Sequence, residues 1–316
     1  MKFKTEIPLE KQAHNQMSYN SEFMLLGSCF TENIGEKLKF FKFQTEVNPL
    51  GILFHPLAIE NVITRAINKD YFTEKDLHQT NEQWFSFEAH SKLNSTSKED
   101  LLINLNEALN KTRSQLAEST HVVITLGTAW VYRHIESDAI VANCHKVPQK
   151  QFLKELLSVN TISESLNAIT SLVKLINPEV TFIFTVSPVR HLKDGFVENT
   201  QSKSHLIAAI HQCIDQRHNK SYFPSFEIMM DELRDYRFYK EDMIHPSKVA
   251  IAYIWEKFQL VWFSEETLKI MNKIASIQSQ RSHRPKNPDS VEHKKFITNL
   301  NAEIELFRSN YPHISL

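Results

Sequence analysis

The chain has 316 residues, enough for one large α/β domain or two small ones, and its 41% hydrophobic and 23% charged residues are typical of a soluble globular protein. The formal net charge of −1 argues against a nucleic-acid partner. The polar start lacks the apolar core of a secretory signal, and no apolar run approaches the roughly 18 residues of a membrane helix. We therefore expect a cytoplasmic protein without membrane contact.

Cysteine usage agrees with a cytoplasmic location. The three cysteines, Cys29, Cys144 and Cys213, are an odd number without C-x-x-C spacing, which predicts neither a disulfide framework nor a zinc site. No pair of histidines or carboxylates has convincing metal-ligand spacing either. We therefore expect no metal and no cofactor.

The first predicted strand and helix flank a turn that holds two nucleophilic side chains. An apolar run at 23–26 predicts a buried strand ending at Gly27, and apolar residues at spacings of three and four predict a helix from Thr31. Ser28 and Cys29 lie between them, where a strand–turn–helix geometry lifts a nucleophile clear of the sheet and points helix amides at it. An ordinary strand–helix connection that holds a buried thiol fits the same pattern.

Strands and helices alternate along the rest of the chain. The predicted strands are 83–88, 121–126, 180–186 and 222–229, with short extended pieces at 131–135 and 139–142. The predicted helices follow Pro56 and occupy 97–117, 161–176, 199–217 and 248–263. This alternation predicts an α/β fold with a mainly parallel sheet covered by helices on both faces.

The last part of the chain is predicted to be a helical extension. We expect one α/β domain at 1–263 and two polar helices at 264–316, packed on that domain. An apolar stripe on the first of these helices fits either that packing or a homodimer contact; it consists of Leu268, Met271, Ile274 and Ile277.

Separated polar clusters are predicted to meet at one edge of the sheet. Ligands bind beyond the carboxyl ends of parallel strands, where Ser28–Cys29, Gly127–Thr128 and residues 187–191 lie. Asp242 and His245 are in the loop before the last core helix. Covalent acyl transfer needs a nucleophile, a base and a group that orients the base, and D-x-x-H supplies the last two. With 15 histidines in the chain, such a pairing also arises by chance.

These motifs resemble those of known enzymes. G-S-C-F-T-E-N-I-G at 27–35 is similar to the G-D-S-x-T-x block that opens SGNH (GDSL-type) hydrolases, and D-M-I-H-P is similar to their closing D-x-x-H block. The chain resembles the GSCFA family more closely, through motifs in the expected order at 27–31, 48–51, 127–132, 143–146, 187–191 and 222–246. The resemblance implies a three-layer α/β/α fold, SGNH-hydrolase-like or flavodoxin-like, with hydrolase or acyltransferase chemistry.

The register with the SGNH block decides between two nucleophiles. In that register Cys29 takes the place of the nucleophilic serine, and Ser28 replaces the aspartate. A helix N-terminus and a neighbouring histidine both favour the thiolate, so we expect Cys29 to attack. Ser28 is the alternative if the turn is shifted by one residue. His245 would shuttle the proton, and Asp242 would fix its tautomer.

The oxyanion hole departs from the SGNH pattern. The third block normally offers an asparagine two residues past its glycine, and that place is Ala129 here. The expected donors are therefore the amide of the nucleophile, the Gly51 amide, and Thr128 beside Gly127.

Five further residues are assigned to substrate binding: Asn48, Trp130, His145, Arg190 and His191. Arg190 and His191 are suited to a carboxylate or phosphate, although a salt bridge from Arg190 to a nearby acidic loop fits equally. Trp130 fits packing as well as stacking, and His145 fits a surface loop as well as the cleft.

Two functions from different classes follow. The leading hypothesis is an SGNH-like esterase, acyl hydrolase or acyltransferase that forms a covalent acyl-enzyme from a small-molecule or carbohydrate ester or a thioester. The alternative is a catalytically silent SGNH-like fold that binds a carbohydrate or a protein partner. Contact of His245 with Ser28 or Cys29 would favour catalysis, and a packed, averted imidazole would favour the binding module.

Overall fold

The computed structural model describes residues 4–316 and confirms the α/β/α fold with a parallel central sheet. The strands are β1 (Glu22–Gly27), β2 (Gln44–Val47), β3 (His78–Thr80), β4 (Gln83–Phe85), β5 (His121–Leu126), β6 (Trp130–His134), β7 (Ala139–Val141), β8 (Phe152–Leu156), β9 (Thr181–Val186) and β10 (Lys220–Phe223). The helices are α1 (Cys29–Phe40), α2 (Pro56–Asn68), α3 (Lys98–Glu118), α4 (Val159–Ile176), α5 (Phe196–Cys213), the single turn α6 (Ser225–Glu227), α7 (Lys248–Trp262), α8 (Glu265–Ser282) and α9 (Val291–Asn310).

The central sheet has the strand order of a doubly wound fold. Its five strands are all parallel and follow the order β10-β9-β5-β1-β2. The order reverses between β1 and β5, and ligands of such sheets bind at the carboxyl ends beside this switch point. Gly27 at the end of β1 lies opposite Thr125 of β5, so the turns after these two strands are neighbours.

Each face of the sheet contributes to its own hydrophobic cluster. Alternate residues of β1 point to opposite faces, so Met24 and Leu26 pack with α2 to α5, whereas Phe23 and Leu25 pack with α1 and α7 to α9. All six residues of β5 and of β9 are buried. Continuous burial on both faces explains why these strands are uninterrupted apolar runs.

Two small antiparallel sheets lie beside the main one. β3 pairs with β4, and β6 lies between β7 and β8. The sequence did not predict β2, β3 or β8, and the strands expected at 83–88 and 222–229 are shorter. β10 ends at Phe223 because Pro224 has no amide hydrogen for the ladder, and the following residues form α6 and one π-helical turn, Ile228–Glu232.

The C-terminal helices contribute to the same core as β1. Met271, Ile274 and Ile277 of α8 are buried in the cluster that contains Phe23 and Leu25, and α9 adds Leu300, Ile304 and Phe307. The predicted apolar stripe therefore lies against this chain, and the homodimer stays a prediction. Among residues 4–316, none of the helices combines the length and apolar character needed to cross a membrane.

Candidate active site

The turn after β1 is built around a glycine conformation. Gly27 has φ +134°, and a Cβ on it would lie 2.1 Å from the Thr125 carbonyl oxygen, so this position requires glycine. The Ser28 amide donates to the same carbonyl at 3.0 Å. These contacts hold the turn against β5 and fix the direction in which α1 begins.

Ser28 and Cys29 have different roles at the start of α1. Ser28 is the N-cap, only 1% exposed, and its Oγ accepts a hydrogen bond from the Phe30 amide at 3.3 Å. Cys29 is the first helical residue and is partly exposed. The helix thus begins at Cys29, two residues before the predicted Thr31. Of the two nucleophiles, Cys29 is the one that solvent reaches.

The Cys29 thiol does not have the depressed pKa that the helix position suggested. Its pKa is raised, chiefly by burial and secondly by the charge of Glu32. Lys203, the amide of Cys29 itself and Lys240 act in the opposite direction but do not outweigh burial. The expectation of a preformed thiolate was therefore wrong, because desolvation of the thiolate exceeds the favourable electrostatics.

Asp242 and His245 form the predicted pair. Asp242 Oδ2 lies 2.7 Å from His245 Nδ1, and its Oδ1 accepts the amides of Ile244 and His245, both at 2.9 Å. These hydrogen bonds, the two from backbone amides first, lower the Asp242 pKa to about 2. An ionised carboxylate only accepts, so Nδ1 of His245 carries a proton, and Nε2 is the ring nitrogen that Asp242 does not bind.

A chain of contacts connects this pair to the sheet edge. The Arg190 amide donates to the Ile244 carbonyl at 3.2 Å, which ties the loop after β9 to the loop of His245. The charges of Lys203 and His245 both lower the pKa of His191, after the larger effect of burial, which brings it to about 3. Within residues 4–316, however, His245 is not hydrogen-bonded to Ser28 or to Cys29. Catalytic hydrogen bonds often form only in the substrate complex.

The amides expected to form the oxyanion hole are occupied. The Gly51 amide donates to the Asn48 carbonyl at 2.8 Å, and the Gly127 and Thr128 amides donate to the Phe54 carbonyl at 2.7 and 3.2 Å. The Thr128 hydroxyl is buried, lies 2.9 Å from Ser202 Oγ and accepts the Trp130 amide at 3.0 Å. In the free protein Gly51, Gly127 and Thr128 are thus engaged within the chain, and the oxyanion hole itself stays a prediction.

Asn48 offers a spare donor beside the first turn. It is 7% exposed, with φ +45°, and its Oδ1 accepts the Gly27 amide at 2.9 Å. That bond orients the side-chain amide and leaves Nδ2 buried without an acceptor. Unsatisfied buried donors are rare and need an explanation. Asn48 thus supports the turn directly and has one hydrogen-bonding group left over.

Arg190 faces a cavity instead of a carboxylate. The cavity has a volume of about 300 Å³ and is lined by Arg190, Met229, Leu233, Tyr236 and Tyr239, among others. Arg190 Nε is buried without a partner, and no carboxylate of residues 4–316 forms a salt bridge with it. The anticipated salt bridge to the acidic loop is therefore not formed. His191 Nε2, next in the chain, is also buried without a partner.

Trp130 and His145 lie on a second cavity of about 300 Å³, lined by β6, residues 141–149, Phe54, His55 and Lys193. Trp130 Nε1 donates to the Glu198 carbonyl at 3.1 Å, and Lys154 covers its ring at 4.4 Å. His145 is buried and stacks on Phe85 at 4.4 Å, so the surface-loop interpretation of this residue was wrong. Burial lowers its pKa to about 4.

Sequence reasoning missed Lys203. Its Nζ donates to the carbonyls of Gly127 at 2.7 Å and Ser187 at 2.8 Å, the first residues after β5 and β9. A signal for it existed. Lys203 occupies the buried stripe of α5, which also contains Asn199, Leu206, Ala209, Ile210 and Cys213. A lysine at a core position of an amphipathic helix is rare enough to mark a candidate.

Two family models match the chain. A family model described as the GSCFA family matches residues 22–258, three quarters of the chain, from β1 into α7. A second model, described as the C-terminal domain of GSCFA domain proteins, matches residues 274–316. No curated protein matches the chain.

Proposed function

The chain belongs to the GSCFA family, and from this premise we propose that it is an SGNH-like acyl hydrolase or acyltransferase. Cys29 attacks the carbonyl carbon of an ester or thioester, and His245 Nε2 takes the thiol proton. The alcohol or thiol leaves with a proton from His245, so that an acyl group remains on Cys29 Sγ. Water or an acceptor hydroxyl then removes it.

The observation that carries this proposal is the geometry of Asp242 and His245. A carboxylate that holds Nδ1 at 2.7 Å through a fixed turn leaves Nε2 basic and oriented, as general-base catalysis requires. A merely structural histidine has no need for a free Nε2 at the carboxyl edge of a parallel sheet. The partial exposure of Cys29 at the same edge supports its role as nucleophile.

The proposed oxyanion donors differ from the sequence-based set. The Cys29 amide already faces its own sulfur and lowers the thiol pKa. Asn48 Nδ2 is a donor without an acceptor beside the same turn. We assign the oxyanion to these two groups. Asn48 would replace the third-block asparagine of SGNH hydrolases, whose position is occupied by Ala129 here. Nδ2 is covered in the free protein and would become accessible as substrate enters.

Arg190 indicates the substrate class. Its guanidinium forms no salt bridge in residues 4–316 and faces a cavity whose walls are apolar and aromatic apart from Arg234 and Asp235. The Arg190 amide joins this cavity to the His245 loop through the Ile244 carbonyl. Such a site suits an acyl or acceptor group that carries a carboxylate or phosphate. We therefore propose an acidic ester or thioester as the substrate.

All three cysteines are free, which supports a cytoplasmic location.

Acyl trapping tests the proposal. The protein is incubated with p-nitrophenyl acetate or an acetyl thioester, quenched with acid and analysed by peptide mass spectrometry. We expect one acetyl group on Cys29, none in Cys29→Ala, and an unchanged label in Ser28→Ala. The latter loses only its N-cap bond, at about 1 kcal/mol of stability. A label on Ser28 would move the nucleophile by one residue.

A silent binding module is the second candidate, and the occupied amides favour it. Gly51, Gly127 and Thr128 are all satisfied within the chain, as in a scaffold without an oxyanion to stabilise. Absence of any acyl label on the wild-type protein with several donors would favour this function over catalysis.

A further inference from the structure

A polar cavity of about 610 Å³ is formed by the β3–β4 turn, residues 91–94 and the turn after β7. Cavities that bind small molecules commonly have volumes of about 300–1,000 Å³. Among residues 4–316, no carboxylate lines it, and most of its lining side chains are amides or alcohols: Thr80, Asn81, Gln83, Ser91, Asn94 and Asn143. Such a lining suits an uncharged ligand with several hydroxyl groups, because amides and alcohols both donate and accept hydrogen bonds.

Two tight turns carry much of this lining. Asn81 and Glu82 connect β3 to β4, and both have positive φ, +47° and +63°, as a two-residue hairpin turn requires. His145 and Lys146 are also both left-handed, at +46° and +61°, and Asn143 Oδ1 accepts the His145 amide at 2.8 Å. Consecutive left-handed residues other than glycine are costly, and backbone strain of this kind is concentrated at functional sites.

The cavity has hydrogen-bonding groups to spare. Within residues 4–316, the side chains of Asn81, Gln83 and Asn94 form no hydrogen bond. His145 adds an acceptor: its Nε2 lies 3.0 Å from the Ala89 carbonyl, which only accepts, so the proton is on Nε2. Burial lowers the pKa of His145 to about 4, so the ring is neutral and its Nδ1, buried without a partner, is an unused acceptor.

The second cavity, on which Trp130 lies, adjoins the polar one. The two cavities share Asn143, His145 and Lys146, and the second adds the aromatic side chains of Trp130 and Tyr132. A pyranose ring presents hydroxyl groups at its edge, which need hydrogen-bond partners, and C–H groups on its faces, which pack on aromatic rings. A polar half beside an aromatic half therefore fits a sugar.

We propose that the cleft formed by these two cavities binds a neutral sugar, with the sugar hydroxyls on the free amides and a ring face on the aromatic side chains. Lys146 and Lys193 are the cations of this lining, but both are exposed, so solvent screens their charge and the ligand needs no acidic group. The inference goes beyond the proposed function and does not rest on it, because binding uses neither Cys29 nor His245.

Ligand-observed NMR titrations test this site with three uncharged probes, the methyl glycosides of D-glucose, D-galactose and N-acetyl-D-glucosamine. Gln83→Ala and Asn94→Ala each remove an amide that has no partner in residues 4–316, so we expect both variants to fold. Asn301→Ala is the matched control, because Asn301 is an exposed amide on α9, which packs on the opposite face of the main sheet.

We expect saturable binding of at least one glycoside to wild type and to Asn301→Ala. Its affinity should be about fivefold weaker in Gln83→Ala and in Asn94→Ala, as the loss of one ordinary hydrogen bond predicts. Absence of saturable binding for all three glycosides overturns the proposal, and so does equal affinity in wild type and both cavity variants. Acyl trapping on Cys29 needs no sugar, so its failure would refute the proposed function and leave this inference standing.

Discussion

His245 Nδ1 donates to Asp242 Oδ2 at 2.7 Å, while Oδ1 of the same carboxylate accepts the His245 amide at 2.9 Å. One side chain therefore fixes both the ring and the backbone of the histidine. The turn that permits this includes Met243 in the left-handed region, at φ +56°. The three-residue spacing of Asp242 and His245 thus fixes the orientation of the imidazole, and Nε2 is the nitrogen that Asp242 does not bind.

Removal of either member of this pair should reduce acylation of Cys29. We expect His245→Ala to lower the rate by a factor on the order of 10²–10⁴, the usual contribution of a general base. Asp242→Asn should also lower it, because the amide no longer compels the Nδ1–H tautomer. Stopped-flow release of p-nitrophenolate measures both effects.

The pH dependence of the same acylation rate distinguishes the contribution of Asp242 from that of other titratable groups. The folded-state pKa of Asp242 is depressed to about 2, so its interaction is complete above the normal carboxyl range and is lost only as pH falls towards 2. A loss of activity at higher pH therefore belongs to other groups. Equal rates in His245→Ala and wild type would contradict the proposed base.

Arg190 should confer a preference for acidic esters. We expect wild type to favour p-nitrophenyl hemisuccinate over p-nitrophenyl butyrate, which has the same number of acyl carbons without the charge. Arg190→Met should abolish this preference, with a change in relative kcat/KM on the order of 10–100-fold, as a lost charged hydrogen bond predicts. Steady-state kinetics with both esters provides the measurement.

Arg234→Met is the matched control for this experiment. Arg234 lines the same cavity, but its guanidinium is exposed and bound to Asp231 at 3.0 Å. We expect it to leave the preference unchanged. If Arg190→Met slowed both esters equally, Arg190 would be a structural residue and not a specificity residue.

Local patterns were sufficient to predict four of the five strands of the central sheet, but not the short polar edge strand β2. β5 and β9 are apolar runs bounded by turn residues, and such strands need no distant partner to be recognised. β8 was missed because F-L-K-E-L is short and partly polar, and only its pairing with β6 makes it a strand. β10 is shorter than the predicted strand at 222–229 because Pro224 ends the ladder inside an otherwise apolar run.

The candidate site was less predictable than the fold. Asp242 and His245 are three residues apart, so their contact follows from local geometry. The Phe54 carbonyl accepts the Gly127 amide, and Lys203 Nζ donates to the Gly127 carbonyl. Both partners lie more than 70 residues from Gly127 in the sequence. The pKa of Cys29 depends on burial, which no local motif reveals. Tertiary packing therefore decided which predicted donors remain free.

Lys203 should make stability depend on pH. Its pKa is about 7 in the folded protein and 10.5 in an unperturbed lysine. Between these values the unfolded chain binds the extra proton, so stability rises with pH, by at most about 1.4 kcal/mol per unit. We expect the free energy of unfolding of wild type, relative to Lys203→Met, to increase across this window. Urea unfolding at several pH values measures the difference.

Lys203→Gln repeats this comparison with an uncharged donor and guards against a folding defect in Lys203→Met. The free energy of unfolding of wild type, relative to Lys203→Gln, should show the same rise with pH, because neither replacement titrates. Parallel stability curves for wild type and both variants would mean that Lys203 keeps an ordinary pKa and that the ammonium is hydrated.

The packing of α8 on the α/β core predicts a large effect for one buried residue. Ile274 is 0% exposed in the cluster shared with β1, so Ile274→Ala removes packed volume from the main core. We expect a loss of about 2–5 kcal/mol in a single urea transition. Leu306→Ala on α9 is the control, since Leu306 is 64% exposed and should cost within about 0.5 kcal/mol. If Ile274→Ala produced a separate early transition and left the main one in place, residues 264–316 would unfold as an independent unit instead of sharing the core of β1.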